Sequence, residues 1–242
     1  MGYDAEVDAR AAYDAMAAAY AADESNAYNS LYERPAMLEL LGDVRGRAVL
    51  DVGCGAGALA AELVARGARV VGVDVSPEML ALARKRVAAA SFVAGDALGV
   101  VRGLADGSFD LVAASLMMHY VRDWAPLLGE LARVLRPGGR VVLSTHHPEL
   151  TARLWPEAGQ GDAVDLVHDR WSKGGEQFDV RFYARSFAAM EAAIAAAGLR
   201  LERWVLPQPL PECEAADPVA WERLTTRPWF AFGVLSAGAC SP

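Results

Sequence analysis

The sequence predicts an α/β protein built on a mostly parallel β-sheet. Short apolar segments recur along the chain, helix-prone segments of about 10–15 residues separate them, and a glycine-rich turn follows the first apolar segment. This alternation is typical of βαβ units, because two parallel strands need a long crossover connection. The 242 residues contain no internal repeat and no domain-scale linker, so we expect a single domain over 1–242.

The predicted elements divide this domain into four consecutive parts. Helices at 3–22 and 35–41 form an N-terminal cap, 1–45. The core, 46–146, contains strands at 47–52, 69–73, 91–95, 109–114 and 140–145, with helices at 57–66, 77–89 and 123–135. An irregular insertion, 147–185, has two possible short strands around 164–167 and 178–183. The C-terminal part, 186–242, contains a helix at 186–197 and strands at 199–205 and 229–236, with an exposed loop around 213–217.

Composition excludes several classes of protein. The net charge of −8 and pI near 5.1 argue against nucleic-acid binding, which concentrates Lys and Arg. The three cysteines, Cys54, Cys213 and Cys240, are widely spaced, which disfavours a disulfide framework and a metal site. No apolar run approaches the ~20 residues that cross a bilayer, and no signal-peptide pattern is seen. We therefore expect a cytoplasmic protein that binds neither nucleic acid nor membrane.

The most informative segment is the glycine turn that follows the first strand. Gly53, Gly55 and Gly57 stand at alternate positions, and Asp51 directly precedes them. A dinucleotide would place its pyrophosphate on the helix that begins here, but Asp51 would then repel it. A phosphate-free ligand with cationic groups would instead be attracted by Asp51. The turn alone leaves both interpretations open, and the acid favours a ligand of the S-adenosylmethionine type.

Further motifs follow this turn in a fixed order. They are VLDVGCGAG (49–57), VDVSPEMLALAR (73–84), FVAGDA (92–97), FDLVAASLMMHYV (109–121) and LRPGGRVVLS (135–144). As an ordered set they resemble the motifs of class I S-adenosylmethionine-dependent methyltransferases, over roughly residues 10–146. The resemblance implies a Rossmann-like, doubly wound sheet of seven mostly parallel strands with a reversed C-terminal strand. It also implies an N-terminal helical lid, with the insertion after the fifth strand defining the methyl acceptor.

The resemblance also implies which residues contact S-adenosylmethionine. Asp74 would bind the ribose hydroxyls, Met79 would pack near the adenine, Asp96 would meet the adenine amino group, and Ser115 would contact the methionine part. The complete predicted cofactor set is Asp51, Gly53, Gly55, Gly57, Asp74, Val75, Met79, Asp96, Ala97, Ser115 and Tyr20.

The predicted chemistry is methyl transfer by in-line displacement, with removal of an acceptor proton where needed. His119 follows the fourth strand and is the candidate general base, although it could merely hydrogen-bond cofactor or backbone. The predicted acceptor-binding set is Tyr13, Tyr28, His119, His147, His168, Trp171 and Tyr183. The N-terminal tyrosines of this set, Tyr13 and Tyr28, could instead pack the cap onto the sheet. No metal ligand is predicted among the four histidines, because their spacing supports none.

The expected acceptor is a small, apolar or aromatic metabolite methylated on O, N or C. Two alternatives stay open at this level. One is a non-catalytic or repurposed S-adenosylmethionine-binding protein, and the other is an NAD-dependent oxidoreductase that uses the same glycine turn. The sequence also leaves open whether the protein is a monomer or a homodimer.

Overall fold

A seven-stranded sheet forms the centre of the protein in the computed structural model, which describes residues 8–22 and 26–237. The strands of this sheet are β1 Ala48–Val52, β2 Arg69–Asp74, β3 Ser91–Ala94, β4 Phe109–Ala114, β5 Leu135–His146, β8 Leu199–Val205 and β9 Phe230–Ala237. A separate hairpin consists of β6 Val164–Lys173 and β7 Glu176–Arg185. The helices are α1 Ala9–Ala22, α2 Arg34–Leu41, α3 Ala58–Ala65, α4 Pro77–Arg86, α5 Ala97–Arg102, α6 Trp124–Val134, α7 Pro148–Leu154, α8 Phe187–Ala196, α9 Glu212–Ala216 and α10 Pro218–Thr226.

The strand order is β3-β2-β1-β4-β5-β9-β8. β1 to β5 pair in parallel, whereas β9 runs antiparallel to both β5 and β8. The predicted fold class is therefore confirmed, including the reversed C-terminal strand. The order changes direction between β1 and β4, and ligands of open α/β sheets collect at the carboxyl ends of the strands around such a point.

Two apolar cores lie on the two faces of the sheet. One contains residues of α2, α3 and α10, and the other contains residues of α5, α6 and α8. β1 shows why both faces need covering, since Val49, Leu50 and Val52 are fully buried although neighbouring side chains point to opposite faces. Between these apolar neighbours, Asp51 is buried as well.

A third apolar cluster joins the cap to the hairpin. Met16 and Ala17 of α1 pack with Val167 of β6 and with Val180 and Phe182 of β7. The insertion therefore folds back against the N-terminal helix, and together they cover the carboxyl ends of the central strands.

The structure differs from the sequence prediction mainly outside the core. The hairpin strands have ten residues each and are longer than the predicted strands. The added positions include exposed charged residues such as Arg170, so the apolar stretches in the sequence mark only part of each strand. The expected exposed loop around 213–217 is wrong, since α9 lies there and buries Cys213 in the core. Residues 29–33, which precede the predicted helix at 35–41, form a π-helical turn that continues into α2. Residues 3–7 of the first predicted helix, and Cys240, lie outside the described residues.

Two further findings concern the described ranges only. None of their helices is long and apolar enough to cross a membrane. Nor do they bring three or more His, Cys, Asp or Glu side chains together in a way that could hold a metal ion.

Candidate active site

A cavity of about 460 Å³ opens at the carboxyl ends of β1, β2 and β4. Its floor is the glycine turn after β1, and its roof includes Tyr13 and Tyr20 of α1. The volume lies within the range of ordinary small-molecule pockets, and the position is that expected for ligands of an open parallel sheet. This cavity is the candidate active site.

The glycine turn brings backbone close to the cavity. Gly53 and Gly55 line it, with φ of +72° and +51°. A Cβ on Gly53 would stand 2.5 Å from the Cβ of Met117, so no side chain fits between the turn and the loop after β4. Gly57 does not line the cavity; it precedes α3 where a Cβ would stand 3.0 Å from the Cβ of Ala83 on α4. Its place in the structure is therefore helix packing.

Asp51 lies in the cavity wall and has no polar partner. Its side chain is fully buried, and neither carboxylate oxygen has a hydrogen-bond partner among the described residues. Burial, together with the nearby charges of Asp74 and Glu33, raises the pKa of Asp51 to about 7. A buried carboxylate without a partner is costly. The cavity therefore offers an uncompensated negative group that a bound cation would neutralise.

Asp74 ends β2 and ties the glycine turn to the start of α4. Its Oδ2 accepts a hydrogen bond from the N–H of Gly55 at 2.8 Å, and its Oδ1 accepts one from Ser76 at 2.9 Å. Burial raises the pKa of Asp74 in spite of these bonds. Because each carboxylate oxygen can accept a second bond, Asp74 can still receive a pair of hydroxyl groups from a ligand.

The side of the cavity next to Asp74 is mostly apolar. Val75, Met79, Ala97 and Leu98 line it, together with Asp96. The Oδ2 of Asp96 accepts the N–H of Gly99 at 2.9 Å and so caps α5, a helix that the sequence prediction missed. A flat, apolar ring with a polar edge fits these walls.

Glu33 is a cavity residue that sequence reasoning did not find. It ends the π-helical turn before α2 and is 4% exposed. Its Oε1 accepts hydrogen bonds from the hydroxyls of Ser115 at 2.7 Å and Ser144 at 2.6 Å. The only signal in the sequence is a Glu-Arg-Pro triplet at a helix start, which also suits a solvent-exposed first turn.

The roof of the cavity contains two tyrosine contacts. The hydroxyls of Tyr13 and Tyr120 lie 3.0 Å apart, and the side-chain amide of Asn29 donates to the Tyr20 hydroxyl at 3.1 Å. Burial raises the pKa of both Tyr13 and Tyr120, so both phenols are neutral near pH 7. The N-terminal helix thus covers the cavity through Tyr13 and Tyr20.

His119 does not line the cavity. It is 2% exposed, stacks on His146 with ring centroids 4.0 Å apart, and lies behind the Tyr120 ring at 4.3 Å. Neither ring nitrogen has a partner among the described residues, and burial holds the pKa of His119 well below 6.5. The imidazole is therefore neutral near pH 7. Its assignment as the catalytic residue stays a prediction.

The other predicted acceptor residues, apart from Tyr13, also lie outside the cavity wall. His147 caps α7 through Nδ1, and Tyr28 packs on Trp229 with ring centroids 4.8 Å apart. Those on the hairpin are His168, which is exposed, Trp171 and Tyr183. The structure therefore brings together the predicted cofactor residues except Gly57, but of the predicted acceptor residues it places only Tyr13 at the cavity.

The fold and the cavity define a class of protein. Its features are those of a class I methyltransferase: a seven-stranded sheet with a reversed final strand, a glycine turn preceded by a buried acid, and acids at the carboxyl ends of β2 and β3. Comparison with known proteins agrees, since residues 50–143 match the family described as "Methyltransferase domain". Residues 50–143 therefore carry a methyltransferase domain of the class I S-adenosylmethionine-dependent type.

Individual relatives support this assignment. The chain is 34% identical over 181 residues to a malonyl-[acyl-carrier protein] O-methyltransferase from Pseudescherichia vulneris, covering 73% of this chain and 64% of that protein. It is 41% identical over 111 residues to a demethylmenaquinone methyltransferase from Beutenbergia cavernae, covering 46% of this chain and 45% of that protein. The matches thus span about half to two thirds of these curated relatives.

A solved structure is similar over a larger share. An S-adenosylmethionine-dependent methyltransferase from Mesorhizobium loti superposes with a TM-score of 0.65 at 27% identity, covering 86% of this chain and 98% of that one. The similarity therefore extends beyond the core, 46–146.

Replacing Asp51 by Asn should change the pH dependence of stability. A folded-state pKa of about 7 means that the ligand-free fold favours the neutral acid, so stability falls as pH rises from about 4 through 7. Asp51→Asn removes this loss, which is at most about 4 kcal/mol. Urea unfolding should show the variant gaining on the wild type between pH 5 and pH 8.

Asp110→Asn is the matched control for this measurement. Hydrogen bonds from Ala48 and Arg136 lower the pKa of Asp110, so this carboxylate is charged at both pH values. Its replacement should change stability equally at pH 5 and pH 8. The same result for Asp51→Asn would contradict the buried, uncompensated state of that carboxylate.

Gly53→Ala should destabilise the fold more than Gly46→Ala. The two glycines have nearly the same φ, +72° and +71°, but only Gly53 faces another residue where its Cβ would stand. The backbone penalty of about 1–2 kcal/mol should be common to both. Overlap with Met117 should add about 1–3 kcal/mol for Gly53→Ala in the free energy of unfolding. Equal losses would show that the loop after β4 does not abut the turn.

Proposed function

We propose that this protein transfers a methyl group from S-adenosylmethionine to an O, N or C atom of a small, apolar or aromatic acceptor. The observation that carries the proposal is Asp51, a buried carboxylate in the cavity wall for which the described part of the chain supplies no partner to either oxygen. A ligand that brings a cation into a water-poor cavity supplies the missing partner.

The cavity residues fit the parts of S-adenosylmethionine one by one. Asp51 would hold the ammonium group, and Asp74 would accept the ribose hydroxyls while it fixes the glycine turn. The adenine would lie against Val75, Met79 and Leu98, with Asp96 at its edge. When bound, S-adenosylmethionine supplies an activated methyl group on a positively charged sulfur. After transfer the sulfur is that of a neutral thioether.

The same residues argue against a dinucleotide. A pyrophosphate at the glycine turn would face Asp51 and Asp74, both buried, and would add charge of the same sign. Such repulsion disfavours the ionised forms and costs free energy in a low-dielectric cavity. An NAD-dependent oxidoreductase is therefore the weaker interpretation of this glycine turn.

The acceptor would bind beneath the tyrosines of the roof. Tyr13 and Tyr120 present neutral phenol rings to the cavity, and Tyr20 lies beside them with its ring centroid 6.2 Å from that of Tyr13. Rings of this kind favour an apolar or aromatic partner. One relative is named a demethylmenaquinone methyltransferase, which supports an aromatic acceptor, and another is named a malonyl-[acyl-carrier protein] O-methyltransferase, which supports methylation on oxygen.

His119 is the proposed acceptor of a proton during transfer. Neither nitrogen of its neutral ring has a partner among the described residues, and the ring lies 4.3 Å from that of Tyr120, which lines the cavity. For this role the acceptor must displace or bridge Tyr120. The protein otherwise contributes alignment and exclusion of water, which are the main requirements of an in-line displacement.

Binding of the donor is tested by calorimetry with S-adenosylhomocysteine and, separately, NAD. We expect S-adenosylhomocysteine to bind and to raise the melting temperature. Asp51→Asn should weaken binding about 10- to 100-fold, the usual value of a hydrogen bond between charged groups. Stabilisation by NAD alone would overturn the proposal.

Transfer is tested by release of S-adenosylhomocysteine with a panel of phenols, quinols, amines and fatty acids. His119→Ala should lower kcat at least about 100-fold, the usual contribution of a general base, with the Kd of S-adenosylhomocysteine nearly unchanged. Equal losses in both quantities would instead indicate that His119 only supports the fold. Cofactor binding without turnover on any acceptor would favour a non-catalytic binder.

A further inference from the structure

Glu33 has surroundings that are unusual for a buried acid. It lies in the cavity wall, at the end of a π-helical turn, and its hydrogen bonds come from two neutral hydroxyls. π-Helical turns are rare and occur often at functional sites. Burial raises the pKa of Glu33, while the two serines act in the opposite direction and favour its charged form. The carboxylate is thus held at a place where a charge is costly.

Glu33 also lies close enough to Asp51 for the two charges to act on each other. Each contributes negative charge to the same cavity, and the charge of Glu33 is one cause of the raised pKa of Asp51. Two buried carboxylates are strongly unfavourable unless a cation joins them. Arg34 lines the same cavity, so a group that carries both a cation and a carboxylate would find both charges matched.

The hydrogen bonds of Glu33 reach the strained part of the loop after β4. Ser144 donates to Glu33 and accepts the N–H of Leu116 at 2.9 Å, and Leu116 has a φ of +47°. Such a backbone is strained in a non-glycine residue and persists only where neighbours hold it. Leu116 and Met117 line the cavity, with Met117 against the glycine turn. A cation that holds Glu33 in place therefore also holds this loop.

We propose that Glu33 is a second cation-binding carboxylate of the cavity, which recognises the ammonium of an α-amino acid zwitterion together with Asp51. This inference rests on the proposed function and adds to it a residue of the cap. The cap then takes part in donor recognition itself, since Glu33 belongs to the segment that precedes α2. Binding of the amino acid part joins the cap to the ends of β4 and β5 through Ser115 and Ser144.

The test compares two probes that differ in the amino acid part. S-Adenosylhomocysteine carries the zwitterion, whereas 5′-methylthioadenosine keeps the nucleoside and the thioether but lacks it. Glu33→Gln preserves size and an acceptor oxygen for the serines. It should weaken S-adenosylhomocysteine about 10- to 100-fold by calorimetry and leave the Kd of 5′-methylthioadenosine within about threefold. Glu33→Asp should restore part of the lost affinity.

Glu39→Gln is the matched control, because Glu39 is an exposed glutamate of α2 outside the cavity wall. It should leave the Kd of both probes unchanged. Should Glu33→Gln fold poorly, Ser144→Ala keeps both carboxylates and should weaken S-adenosylhomocysteine more than 5′-methylthioadenosine.

The outcomes separate the two proposals. Failure of the wild type to bind either probe overturns the proposed function. If the wild type binds S-adenosylhomocysteine and Glu33→Gln weakens the affinity for both probes equally, the proposed function stands. Glu33 then has only a structural role, and the inference is overturned. Unchanged or tighter binding of S-adenosylhomocysteine in that variant also overturns the inference.

Discussion

Burial of the Asp51 carboxylate is the constraint on which the rest of the cavity depends. β1 must be apolar on both faces because helices cover both sides of the sheet, yet its fourth residue is an acid that no other described residue hydrogen-bonds. A protein tolerates such a group where a ligand compensates it. The glycine turn, Asp74 and Glu33 lie at the same end of the sheet as Asp51 and line the same cavity.

The cavity is assembled by three layers of the fold. The sheet supplies the acids at the ends of β1 and β2, and the loop after β4 closes against the glycine turn. The cap then covers both, with Glu33 bonded to Ser115 and Ser144 and with Tyr13 bonded to Tyr120. The hairpin supports the cap from outside through its apolar face. Strain at Leu116 is the local cost of bringing these layers together.

Sequence reasoning was accurate where structure is local. Strands β4 and β8 have the predicted bounds, and Asp51, Asp74 and Asp96 lie in the cavity wall, because an acid that ends a parallel strand lies at the ligand-binding edge. It was weaker for the insertion. The possible strands around 164–167 and 178–183 belong to one longer hairpin. Its strands continue beyond these apolar stretches into exposed charged residues such as Arg170. The acceptor residues chosen there, His168 and Trp171, lie outside the cavity wall.

The sequence by itself determined the class of fold and the glycines and acids that line the cavity. Glycines that need positive φ, apolar strands and acids at strand ends are recognised from short runs of consecutive residues. The turn and the strand ends that they form can therefore be predicted without the tertiary structure. Only the tertiary structure decided that Glu33 enters the cavity, that His119 lies behind Tyr120, and that Gly57 serves packing. These depend on which surfaces meet when cap, sheet and hairpin pack together, and contacts between residues far apart in the chain leave no periodic signal in it.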